Sequence, residues 1–154
     1  MNVMQPIDRI RGGVHEKERH ESGHKHVSGT AEYIDDIPEP QGTLHGYLGL
    51  SQRAHADILS IDFEAVNASE GVIGVLTAAD IPGENDISPA HKHDEPIFVT
   101  DKVEFHGQPI FAVVATSREA ARRAAAKVKI EYRDLPHVTD VLEAAAANYP
   151  LVID

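Results

Sequence analysis

The sequence predicts a mixed α/β (α+β) domain, built on a mixed β-sheet that includes one β–α–β unit. Three observations predict it. Leu44, Gly46, Leu48 and Leu50 alternate with His45, Tyr47, Gly49 and Ser51, a period of two that belongs to strands. Residues 109–116, PIFAVVAT, form a continuous apolar run, the pattern of a buried central strand with both faces covered. Ala120, Ala121, Ala124, Ala125 and Val128 then recur at helical spacing, and KVKIEY (127–132) returns to alternation, so that 109–133 reads strand–helix–strand.

The remaining elements follow in order. Residues 1–25 are polar, mixed in charge and without an apolar period, and are expected to be a disordered arm. The folded domain is expected over 26–147, with 148–154 opening a linker. Two prolines and a glycine in Asp35–Gly42 (DDIPEPQG) make a turn. After the first strand, Ile58–Phe63 is a second one, with Leu59, Ile61 and Phe63 on one face. Glu64–Ala68 is one helical turn, and Gly71 opens a third strand, Val72–Leu76. Thr77–Asp80 has the spacing of a capped turn, ended by Pro82-Gly83. GENDISPAHKHDEP (83–96) is a polar loop, followed by short apolar pieces at 97–99 and 103–105. Thr116 is placed to cap the alanine-rich helix with Glu119 completing a capping box, and Thr139 to cap a last short helix over 140–147.

Composition excludes several function classes. A chain of 154 residues suits one domain with or without a tail. A net charge of −11 argues against nucleic acid and against an anionic membrane surface, since both call for clustered Lys and Arg. No apolar run is long enough for a transmembrane helix, and the first residues hold no apolar signal core, so a cytoplasmic location is expected. Cysteine is absent, which removes disulfides, a thiolate nucleophile and cysteine-held metal or iron–sulfur sites from these residues.

Candidate chemistry lies in two histidine groups and in the acids around them. His15, His20, His24 and His26 have imidazoles suited to zinc or nickel, but a polar, glycine-punctuated arm offers no fixed geometry, so the expectation is solvation. His91 and His93 flank Lys92, whose charge opposes a cation. Asp35, Asp36, Asp80, Glu84, Asp86, Asp94 and Glu95 sit beside Pro and Gly, where turn formation is the expected role. The strand-to-helix turn at Thr116-Ser117-Arg118 lacks the glycine that would let a phosphate approach its backbone. No nucleophile elbow, phosphate-binding loop or dinucleotide fingerprint is present. Catalytic, cofactor-binding and metal residues are therefore all expected to be none.

Taken together, HVSGTAEYIDDIPEPQGTLHGYLGLSQRAHADILSID (26–62), GVIGVLTAADIPGEND (71–86), DEPIFVTDKVEFHGQPIFAVVATSREAARRAAAKVKIEYRDLP (94–136) and the closing VLEAA resemble the opening α/β hammerhead domain of the molybdenum hydroxylases, the xanthine dehydrogenase and aldehyde oxidase family. The family pattern H-V-[ST]-G-x-A-x-Y-x-D-D-I-P, then S-x-x-A-H-A, then P-G-x-N, D-E-P, G-Q-P and L-P is met in order over about 24–146. IDDIPEP and DIPGEND look most like the separate molybdenum-binding subunit of bacterial members.

The resemblance implies that 26–147 is the hammerhead domain and that His26 to Pro38 is a fold signature rather than a metal cluster. It implies a parent enzyme that hydroxylates a purine, hypoxanthine or xanthine, using molybdopterin, 2Fe-2S clusters and FAD. It also implies that the chain itself holds no cofactor and is a structural portion without the active site. Its partners would be the remaining molybdopterin-binding domains of the same subunit and an iron–sulfur/FAD subunit. Two alternatives stand beside this reading: a standalone binding or adapter module, and the same domain from an aldehyde or nicotinate hydroxylase.

Overall fold

The computed structural model describes residues 20–89 and 92–147. The chain divides into two units, 1–40 and 41–154. In the first, α1 (Gly23–Ser28) spans the expected boundary between residues 25 and 26. It stops because Gly29 adopts φ +72°, and the Thr30 N–H reaches back to the Lys25 carbonyl at 2.9 Å, closing a Schellman turn. A 3-10 turn, Ile34–Asp36, follows, with the Tyr33 N–H donating to the Asp36 carboxylate at 3.0 Å. The expectation for 1–19 lies outside the described residues, as does the linker expected over 148–154.

The second unit contains β1 (His45–Leu50), β2 (Ala56–Asp62), α2 (Glu64–Asn67), β3 (Val72–Leu76), β4 (Lys102–Val103), β5 (Pro109–Ala115), α3 (Arg118–Ala125), β6 (Lys129–Asp134) and α4 (Val141–Ala146). A 3-10 turn at Ala78–Asp80 follows β3, where the expected capped turn lay. The strands form two antiparallel three-stranded sheets, ordered β1-β5-β3 and β4-β2-β6. The strand–helix–strand order over 109–133 is present, but it corrects the expected β–α–β unit and the single mixed sheet. Helix α3 carries the chain from β5 in one sheet to β6 in the other, and among the described residues all pairings are antiparallel. Side-chain periodicity specifies which face a residue takes, not which strand it pairs with.

Strand β5 is the centre of its sheet, and Ile110, Phe111, Val113 and Ala115 are all essentially inaccessible. On one side Phe111 meets Phe63 edge-to-face at 5.0 Å, and α3 lays Ala121, Ala124 and Ala125 on the core. Gly49 of β1 leaves room for the Phe111 ring: a Cβ there would overlap the ring carbons. Register places Leu48, Ala112, Val114 and Leu76 together on the other side, where Leu48 and Leu76 stay about half exposed. In β2 the pairing with β6 skips Leu59, so this bulge corrects the expected Leu59–Ile61–Phe63 face. Leu59 turns outward, while Ile58 and Ile61 pack on the core.

The α3 cap also differs by one residue. Ser117, in extended conformation, accepts from the Ala120 N–H at 3.1 Å, so Ser117 rather than Thr116 begins the helix. The position that would close a capping box then falls on Ala120. Glu119 instead pairs with Arg122 at 2.8 Å and Arg123 at 3.1 Å. Ser117→Ala is expected to cost about 0.5–2 kcal/mol, and Thr116→Ala clearly less, by urea midpoints. Equal losses would return the cap to Thr116. The last helix is likewise capped by Asp140, whose carboxylate accepts from the Leu142 and Glu143 N–H groups, not by Thr139.

Candidate functional site

The residues of the sequence motifs are brought together in pairs, and each pair closes a piece of backbone. His26 and Tyr33, seven positions apart, meet at 3.1 Å through Nδ1 and the phenol oxygen, while the Ser28 and Thr30 hydroxyls meet at 2.8 Å. His20 Nδ1 accepts from the Ser22 N–H at 3.2 Å. These histidines are therefore committed to local turns; His24 is exposed, and His15 lies outside the described residues.

The same holds in the second unit. His55 Nδ1 donates to the Pro136 carbonyl at 2.8 Å, and the Leu135 N–H donates to the His55 carbonyl, so the A-H-A and L-P segments hold each other across 81 positions. Asn85 clasps Phe98 at both backbone groups, at 2.7 and 3.0 Å. Gln108, 5% exposed, accepts from the Glu104 N–H at 2.8 Å through its side chain, while its carbonyl accepts from the Ser51 N–H. A buried amide with its partners in place specifies one arrangement of the chain, because leaving it unpaired would cost its desolvation.

Asp36, Asp62 and Asp80 close local turns through backbone N–H groups. Asp80 accepts from the Thr77 N–H and hydroxyl, which hold its carboxyl below the usual range. Asp62 and Glu119 are lowered too, chiefly by the Glu64 N–H and by Arg122 respectively. A general acid needs a shift in the other direction. Asp86, in the loop 83–96, accepts from Ser88 and is lowered in the same way. Here Glu84, Asp86 and His93 converge: His93 Nδ1 lies 3.1 Å from a Glu84 oxygen and 3.0 Å from an Asp86 oxygen. Sequence spacing did not single out this group, because a shared loop closure, not a periodic element, joins its members. His91, the other histidine of this loop, lies outside the described residues.

The sequence has no cysteine, so these residues offer no thiolate to an iron–sulfur cluster. In the second unit Phe111 fills the space over Gly49, and Thr116 Oγ1 would lie 2.9 Å from a Cβ on Gly71, whereas Gly42, Gly46, Gly74, Gly83 and Gly107 have open space where a Cβ would stand. Among the described residues, no helix is long and apolar enough to cross a membrane.

Xanthine dehydrogenase 1 of Arabidopsis thaliana is 41% identical over 96% of the chain, and the xanthine dehydrogenase of Oryza sativa subsp. japonica is 45% identical over 84%. The chain spans only 12% and 9% of these relatives. The aldehyde oxidoreductase structure from Desulfovibrio gigas superposes with a TM-score of 0.71 at 33% identity, covering 85% of this chain and 16% of that one. The model of the aldehyde oxidase and xanthine dehydrogenase a/b hammerhead domain matches residues 28–136. The chain belongs to the aldehyde oxidase and xanthine dehydrogenase family, and the fold built on β5 and α3 is that family's hammerhead domain.

Proposed function

We propose that the chain is the structural hammerhead portion of the molybdopterin-binding subunit of a cytoplasmic xanthine dehydrogenase, an enzyme hydroxylating hypoxanthine and xanthine in purine catabolism. The observation that carries this is the identity of 41–45% to xanthine dehydrogenases over 84–96% of the chain. The pairing of motif residues with one another supports a scaffolding role: His55 with Pro136, Asn85 with Phe98 and Gln108 with Glu104 each fix backbone. The half-exposed Leu48 and Leu76 give the β1-β5-β3 sheet an apolar side suited to packing against the molybdopterin-binding domains. Redox cofactors, molybdopterin, 2Fe-2S and FAD, reside in those domains and in an iron–sulfur/FAD subunit. A second reading, an aldehyde hydroxylase, is favoured by the likeness to the Desulfovibrio gigas structure.

Capture of the native polypeptide with an antibody raised against residues 41–147 tests the proposal. The captured material is expected to contain molybdenum and to reduce a dye with xanthine or hypoxanthine. Turnover of aldehydes without xanthine would favour the second reading, and a captured protein with neither molybdenum nor dye reduction would refute both.

A further inference from the structure

We propose that Glu84, Asp86 and His93 form a binding site for a divalent cation of the zinc class in the loop between β3 and β4. Their ligand atoms, one imidazole nitrogen and two carboxylate oxygens, all lie within 4.8 Å of one another. His93 Nδ1 lies 3.1 Å from Glu84 Oε1 and 3.0 Å from Asp86 Oδ2. Ligands about 2.1 Å from a tetrahedral zinc stand about 3.4 Å apart, so the three atoms need to open by a few tenths of an ångström to seat the ion. Imidazole with carboxylates suits zinc and its neighbours, whereas calcium and magnesium prefer all-oxygen sets. Two carboxylates and a neutral ring also give the charge a dication balances, and Lys92 beside them is solvent-exposed.

The loop holds this set in place from behind. Asp86 presents Oδ2 to His93 while Oδ1 accepts from both the backbone N–H and the hydroxyl of Ser88. The Ser88 oxygen accepts in turn from the N–H groups of Asp94 and Glu95 at 2.8 and 2.7 Å. The Ile87 N–H donates to the Glu95 carbonyl at 2.9 Å. One serine therefore ties the segment carrying Asp86 to the segment carrying His93, the kind of outer support that orients ligating carboxylates.

The experiment is a titration of the full chain with Zn²⁺ alone, followed by histidine-ring and backbone amide NMR. One equivalent is expected to shift the His93 ring nitrogens and the amides of 84–88 and 93–95. The apparent affinity at this loop should fall at least tenfold in His93→Gln and in Asp86→Asn. Unchanged amides across β1, β2, β5 and β6 would show that both variants keep the fold, and Ser88→Ala, which removes no ligand, should weaken binding to a smaller degree. The proposal is overturned if Zn²⁺ shifts only His20, His24 or His26, if the loop responds equally in His93→Gln, or if it stays silent at millimolar Zn²⁺. Stronger binding of Ca²⁺ than of Zn²⁺ would overturn the assigned class.

Discussion

Phe111→Ala is expected to lower stability by about 3–5 kcal/mol, the largest loss available from one side chain in this fold. Phe111 is 1% exposed, stacks edge-on against Phe63 and fills the space above Gly49. It therefore joins the middle of the β1-β5-β3 sheet to the residue that follows β2. The seating over Gly49 makes a sharper test possible. Gly49→Ala alone should destabilise by about 1–3 kcal/mol, because the added methyl overlaps the ring. With Phe111→Leu already in place, the same methyl should cost markedly less. Urea midpoints of the two single variants and the double variant give the coupling. Strict additivity would mean that the ring does not lie over Gly49.

Ala124→Leu is the second large effect. Ala121 and Ala124 are 0% and 1% exposed where α3 lies on β5 and β1, so alanine there is a limit on space. A leucine must push helix and sheet apart, at about 1–3 kcal/mol, a substantial share of the ~5–15 kcal/mol that holds a domain together. Arg122, two positions before Ala124 and exposed to solvent, pairs with Glu119, and exposed pairs of this kind contribute little. Arg122→Leu should therefore shift the denaturant midpoint slightly. A neutral Ala124→Leu with a destabilising Arg122→Leu would reverse the assigned face of α3.

These two predictions rest on elements that could be read in the sequence. PIFAVVAT reads as a buried strand because only a strand covered by neighbours tolerates so unbroken an apolar run, and β5 is that strand. The alanine spacing likewise specifies the buried face of α3. Pairing was not legible: the alternation of KVKIEY places side chains on faces but leaves open whether β6 joins β5, and it joins β2 instead. The bulge at Leu59 escaped for the same reason, since a strand's period cannot register one skipped partner. The cap moved from Thr116 to Ser117 because both residues suit the role, and only backbone conformation separates them. The contact of His26 with Tyr33 joins two residues of one motif, a pairing that the motif's wording alone does not specify. The convergence of Glu84, Asp86 and His93 depends on hydrogen bonds through Ser88, which no residue pattern encodes.

The central claim is that this chain shapes an enzyme without carrying its chemistry. It is tested most directly by assaying the purified 154-residue chain alone for xanthine-dependent dye reduction, beside a urea unfolding curve of the same preparation. The account predicts a cooperative unfolding transition, no bound molybdopterin and no dye reduction above a heat-killed control. Turnover of xanthine by the folded chain alone would contradict it.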